Sequence, residues 1–308
     1  METDLKQRNT DIKYGPKLAL LYMIVVLGLS PLLSNLMPAK LNFIPQLICP
    51  FFGVALALRG KCAPEKGTLL AENKKMTGTS FLVVLGAFML AKLVSLLPSA
   101  LLMKLLISEE QGEALTGSLS FGKNIFIDFL SMGIVTAICE EIIFRGCIGN
   151  HFKKYGMWFA MICSSLFFAL YHMNLFQFVS TFLPGMVLFY VAMNYSLKWS
   201  ILLHFINNGV MSIATSILQK KAPESFAANY GEIVVEVILI GIGLALMKKD
   251  GAIAKVKEFM STPKNEPGVY KAALGNGVFI ALVLACLLST VAIFALTDVV
   301  LPAMGGLG

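Results

Sequence analysis

The 308-residue chain is 57% hydrophobic and only 14% charged, with a mean hydropathy of +0.77. Soluble domains carry roughly 25% charged residues, so this balance excludes an ordinary water-soluble enzyme and points to the membrane. The net charge of +7 is dispersed over alternate loops, a pattern that does not indicate nucleic acid as a partner.

Apolar runs of about 20 residues, the length a helix needs to cross hydrocarbon, recur along the chain. In order they cover 17–37, 41–58, 80–107, 121–149, 157–175, 177–195, 198–218, 231–248 and 275–301. The second and eighth are short enough to be re-entrant or interfacial, so the expectation is an all-α polytopic bundle of about eight or nine spans. No soluble domain is long enough to fold alone. Residues 1–119 read as N-terminal membrane helices with a basic loop, 120–215 as a core carrying the chemistry, and 216–308 as C-terminal helices with a linker. Pro98 interrupts the third span and Pro184 the sixth. Lys92 lies within the third span, and Asp128 and Asp298 lie near the outer ends of the fourth and the last. Ala252–Met260 interleaves apolar and lysine positions at helical spacing, as expected of a helix lying on the membrane surface.

Lys6, Arg8, Lys13 and Lys17 precede the first span, and Arg59, Lys61, Lys66, Lys74 and Lys75 follow the second. Lys153, Lys154 and Lys198 lie in the middle, and Lys248, Lys249, Lys255, Lys257, Lys264 and Lys271 near the end, whereas one intervening loop is acidic (Glu109, Glu110, Glu113). The positive-inside rule then puts the N-terminus in the cytoplasm of a multi-pass cell-membrane protein and the C-terminus outside, with Lys220 and Lys221 as exceptions. The polar first 16 residues and long first apolar run do not read as a cleavable signal peptide. The terminal Ala-Met-Gly-Gly-Leu-Gly offers no prenylation box. Six scattered cysteines without a Cys-x-x-Cys pair give no disulfide framework and no thiolate zinc site.

Chemistry concentrates at Glu140 and Glu141, two acids inside the apolar run 125–144, with Arg145 completing Glu-Glu-x-x-x-Arg. A carboxylate in hydrocarbon is costly, so an intramembrane ionisable residue is a functional candidate by default. On a helix Glu141 and Arg145 stack on one face and can pair. Glu140 points about 100° away from Glu141 and is left to face a cavity, which suits a general base. Of the three histidines, His172 follows Phe168 by four residues and His204 precedes Asn208 by four. Counted from Lys153, Trp158 and Lys198, these groups lie roughly 10–20 Å below the basic boundary, so Glu140, His172, His204 and Asn208 can converge from three helices on one water-reachable hollow. There is no His-Glu-x-x-His helix, no Gly-x-Gly-Asp motif, no Gly-x-Ser-x-Gly elbow and no nucleotide-binding glycine pattern.

Glu140-Glu141-x-x-x-Arg145, Phe168-x-x-x-His172 and His204-x-x-x-Asn208, in that order, resemble the CPBP family of CAAX proteases and bacteriocin-processing enzymes. That family includes the Ras-converting CAAX prenyl protease type and the Abi proteins, and the likeness covers roughly residues 120–215. The resemblance implies an intramembrane endopeptidase acting on a membrane-associated peptide or protein in the bilayer, with its site between the central helices. Glu140 and His172 would activate water, His204 and Asn208 would stabilise the oxyanion, and Glu141, Arg145 and Phe168 would support them. Metal use stays open. Glu140, His172 and His204 would satisfy a His₂Glu zinc site, but Asn208 is a poor zinc ligand and Arg145 discourages a cation, so a metal-free glutamate mechanism is favoured. The alternative readings are a non-hydrolytic protein of the same fold, acting in bacteriocin immunity or as an adaptor, and a small transporter.

Overall fold

The computed structural model describes residues 2–108, 124–261 and 265–305, with 2, 3, 260 and 293–305 described by backbone alone. The acidic loop (Glu109, Glu110, Glu113), Lys264 and the side chain of Asp298 lie outside the described residues. Helices occupy all nine apolar stretches, and no strand occurs among the described residues. In chain order they are α1 (Asp4–Leu36), α2 (Ile44–Ala57), α3 (Gly78–Leu106), α4 (125–152), α5 (Met157–Tyr171), α6 (Leu175–Asn194), α7 (Leu197–Lys221) and α8 (Phe226–Asp250). The short α9 (Ala252–Met260) and α10 (Val269–Leu274) then lead into α11 (Gly277–Gly305).

Five of these, α1, α3, α6, α7 and α8, are long and apolar enough to cross a membrane, against the eight or nine stretches read from the sequence. The helices α2 and α5 are shorter apolar segments, as is the 277–292 part of α11, and α4 carries Asp128, Glu140, Glu141 and Arg145 within its length. The outer faces fit the same environment. Leu97, Leu101 and Leu105 on α3 are 59–75% exposed, and Val237, Ile238 and Leu244 on α8 are 52–56% exposed. Water-soluble monomers rarely leave such continuous apolar stripes bare. The chain is a multi-pass membrane protein.

Local chemistry sets the helix ends. Thr77 caps α3 by accepting from Ser80 N, Ser225 caps α8 by accepting from Ala228 N, and Asn174 caps α6 by accepting from Phe176 N and Gln177 N. Gly251, with φ of 68°, ends α8 in the left-handed conformation and lets α9 turn away. Pro98 and Pro184 do not interrupt their spans as expected, because α3 and α6 remain helical through them. The polar N-terminus is also helical. At its base Asp11 accepts from Tyr155 Oη at 2.5 Å and pairs with Lys154 at 2.7 Å, tying α1 to the end of α4.

Close packing of the central helices depends on glycine. A Cβ on Gly86 of α3 would stand 2.7 Å from Leu239 O and 3.0 Å from Gly243 Cα of α8. A Cβ on Gly133 of α4 would stand 2.8 Å from Gly209 Cα of α7. Such small-residue crossings let membrane helices approach at backbone distance. Both helices are π-helical where they meet, over Phe129–Val135 and Ile206–Ser212. Side chains satisfy carbonyls that the wider turn displaces: Thr136 donates to Ser131 O at 2.9 Å and Ser212 to Asn207 O at 3.0 Å. Gly133→Val is therefore expected to push α4 from α7 and destabilise the bundle by about 1–3 kcal/mol in thermal unfolding, the usual scale for overpacking. Gly28→Ala, a position with open space around it, serves as the control and should cost nothing. Equal melting of the two variants would discard the crossing as a packing determinant.

Candidate active site

The α-helical part of α4 ends at Glu140, and Glu141 opens a π-helical segment running to Gly149. The α-helical spacing assumed from the sequence thus fails at the acid pair itself, although the two side chains still diverge. Glu141 is fully buried and saturated with donors. Its Oε1 accepts from Arg145 Nη1 at 2.8 Å and from His204 Nδ1 at 3.0 Å, and its Oε2 accepts from Ser200 Oγ at 2.5 Å. Glu140 is 4% exposed, and its Oε2 is buried with no hydrogen-bond partner. The Glu141–Arg145 pair read from the spacing is present, and Glu140 Oε2 stands outside it.

Arg145 is fixed on three sides. Besides Glu141 it donates from Nη2 to Gly185 O at 3.1 Å, and its guanidinium carbon lies 4.2 Å from the centre of the Phe168 ring. Gly185 follows Pro184 in α6, and a Cβ there would come within 3.2 Å of Arg145 Nη2 and 3.3 Å of Phe168 Cδ1. Phe168 is the hub of the site, because His172 and His204 also stand edge-on to its ring, at centroid distances of 4.9 and 5.9 Å.

His204 stands beside both acids. With Nδ1–H committed to Glu141, its Nε2 faces Asn208 Nδ2 at 3.1 Å and Glu140 Oε2 at 3.8 Å. Asn207 Nδ2 donates to Asn208 Oδ1 at 2.7 Å and so fixes which way the Asn208 amide is turned. A hydrogen-bond chain therefore runs Asn207, Asn208, His204, Glu141, with Arg145 and Ser200 closing its end. Glu140, His204 and Asn208 are brought together directly, whereas His172 reaches the group through Phe168.

His172 is not inside a span as expected. It caps α5 at its C-terminal end, followed by Met173 in the left-handed region (φ 53°) and by the Asn174 cap of α6. Its Nδ1–H donates to Phe168 O at 2.9 Å, which leaves Nε2 for other contacts. His172 and Asn208 are half-buried, and Glu140 and His204 are buried. Two cavities of about 460 Å³ open elsewhere, and none of the four residues lines them.

Glu140, His172 and His204 are the side chains that would hold a zinc ion. Both imidazoles spend Nδ1 on a neighbouring acceptor, the arrangement that orients Nε2 toward either a metal or a water. Among the described residues, however, no group of three or more His, Cys, Asp and Glu side chains is gathered to hold a metal ion. The six cysteines are all buried and free.

Four contributors were not singled out from the sequence. Ser200 lies one turn before His204, and Ser200-x-x-x-His204-x-x-x-Asn208 extends the four-residue ladder in the direction that would have found it. Asn207 and Gly185 carry no signal without the fold. Tyr171 turns its hydroxyl toward Glu140, and its ring lies 5.3 Å from that of Tyr22 on α1.

Residues 122–210, which comprise all of α4, α5 and α6 and the first half of α7, match the family model described as type II CAAX prenyl endopeptidase Rce1-like. No curated protein and no solved structure matches the chain. The matched segment contains Glu140, Glu141, Arg145, Phe168, His172, His204 and Asn208. Over this segment the chain is similar to the CAAX/CPBP family of intramembrane proteases.

Proposed function

We propose that the protein hydrolyses a peptide bond of a membrane-associated peptide or protein using a water activated by Glu140 and His172, with His204 and Asn208 as oxyanion donors. The observation that carries this reading is the unpartnered Glu140 Oε2 standing 3.8 Å from His204 Nε2, at the open end of the chain that Glu141 anchors. Glu140 takes a proton from the water as the water oxygen bonds to the scissile carbonyl carbon. The carbonyl electrons move onto oxygen, which accepts from the Asn208 amide, turned from His204, and from His204 Nε2 once that nitrogen has taken up a proton from solvent as the Asn208 amide leaves it. Glu141, accepting from Nδ1, stabilises that imidazolium. Collapse of the tetrahedral intermediate breaks the C–N bond, and the proton held by Glu140 passes to the leaving amine.

A metal-free reaction is part of the proposal, supported by the Arg145 guanidinium beside Glu141 and by an asparagine where a metal ligand would stand. The test is a panel of membrane-tethered peptides incubated with wild type and Glu140→Ala, with and without a membrane-permeant chelator. Cleavage by wild type alone, indifferent to chelator, is the expected result. Equal cleavage by both proteins would overturn the catalytic assignment. Chelator inhibition reversed by zinc would replace the glutamate reaction by a metal-assisted one, and full biological activity of Glu140→Ala without cleavage would favour the adaptor reading.

A further inference from the structure

At the end of the bundle where lysines gather, two cavities adjoin. One, of about 460 Å³, is apolar and lies among α3, α5, α6, α8 and α9, with Val83, Ala87, Met186, Ile253 and Val256 in its wall. The other, of about 370 Å³, is basic, and Lys74, Lys75, Lys249 and Lys255 line it. Tyr195 and Asp250 belong to the walls of both, so the two spaces share a border.

Polar bonds hold α9 over this border. Lys255 donates to Asp250 at 2.7 Å and to Ser80 Oγ at 2.9 Å, Ser80 donates to Asp250 at 2.5 Å, and Lys74 pairs with Glu258 at 2.9 Å. These bonds use the Asp250 and Glu258 carboxylates. Lys75 and Lys249 are exposed and make no ion pair among the described residues. The basic cavity therefore carries an excess of positive charge against an apolar cavity that continues it. Ile253 and Val256 of α9 are 57% and 43% exposed, as on a helix that rests in a lipid interface.

We propose that this composite cavity binds an anionic phospholipid of the surrounding bilayer, with an acyl chain among α3, α6 and α9 and the phosphate at Lys75 and Lys249. Apolar concavities of this size with a few convergent polar groups are typical small-molecule sites, and basic pockets between membrane helices take lipid phosphates. An inorganic anion would fill only the basic half and a neutral lipid only the apolar half. The charge and the shape together select the anionic lipid. The site is separate from the glutamate–histidine network and does not depend on the reaction proposed above.

The test uses the full chain in neutral detergent, titrated with phosphatidylglycerol or with phosphatidylcholine of equal chain length and followed by native mass spectrometry. Phosphatidylglycerol should bind at least about tenfold more tightly, since each lysine near the phosphate contributes on the order of a fewfold in affinity. Lys75→Ala/Lys249→Ala should remove that preference and leave phosphatidylcholine binding unchanged. Ala87→Trp, at an exposed position in the apolar wall, should weaken both lipids without lowering the melting temperature. Equal binding of the two lipids by wild type, or a preference that survives the double lysine variant, would overturn the proposal. Displacement of phosphatidylglycerol by millimolar inorganic phosphate would overturn it too, by showing a soluble-anion site.

Discussion

Glu141→Ala is expected to destabilise the bundle by about 3–5 kcal/mol, the cost of stranding one partner of a buried ion pair, and to abolish peptide cleavage. The reason lies in what the carboxylate holds. Arg145 and Glu141 are both fully buried, and without the acid the guanidinium keeps only Gly185 O and the face of Phe168. Ser200 Oγ can turn its single proton from Glu141 to Leu188 O, 3.0 Å away, so its loss is smaller. Replacing the whole pair, as in Glu141→Leu/Arg145→Met, removes both charges and should restore most of the stability, because apolar substitutes for buried ion pairs are often neutral or better. Cleavage should stay absent in the double variant, since His204 Nδ1 has lost the acceptor that fixes its ring. Thermal unfolding in detergent reads the first effect and peptide cleavage the second. A double variant that is both stable and active would show that Glu141 matters only as a counter-ion to Arg145, and the proposed positioning of His204 would be lost.

The positions of the helices were largely legible because in a membrane chain hydropathy marks both the length and the location of a span. Predicted 80–107 became Gly78–Leu106, and 198–218 became Leu197–Lys221. The helix Ala252–Met260 was placed at its observed bounds. What hydropathy does not encode is where a helix stops inside an apolar run. The run 157–175 breaks at His172 because Asn174 caps the following helix and Met173 takes a left-handed turn, two local events within Tyr-His-Met-Asn. The π-helical segments were equally silent. Two of them, Phe129–Val135 and Ile206–Ser212, coincide with the place where Gly133 and Gly209 let α4 and α7 touch, a tertiary feature.

Within the site, the pairing of Glu141 with Arg145 and the separation of Glu140 followed from residue spacing alone. The link from Glu141 to His204 did not, because it joins helices 63 residues apart in sequence. The same limit hid the partners of Lys92. It reaches across to α8 and pairs with Glu232 at 2.5 Å and Glu236 at 2.8 Å, acids at the head of a stretch read mainly for its apolar residues. Glu232 also accepts from Thr215 of α7 at 2.8 Å. This cluster fastens α8 to α3 and α7 and gives the isolated lysine a structural role.

His204→Gln and Asn208→Ala are each expected to lower kcat by about 10²–10³-fold with little change in KM, the scale observed when one oxyanion donor is removed. The two should not add. Asn208 Nδ2 and His204 Nε2 already form one unit at 3.1 Å, so the double variant should lose little more than His204→Gln alone. Asn207→Ala extends the series outward. Its amide touches Asn208 at 2.7 Å, and its removal frees the Asn208 amide to rotate. We expect roughly a tenfold loss in kcat from that rotation, because residues that act as a unit lose function together. The sign of this prediction separates two roles for Asn208. If the amide serves the transition state, kcat falls and KM is spared in all three variants. If it merely packs α7 against α4, the variants should instead lower the melting temperature and leave kcat per folded molecule near that of wild type, an outcome that would remove Asn208 from the reaction and leave the oxyanion to His204 alone.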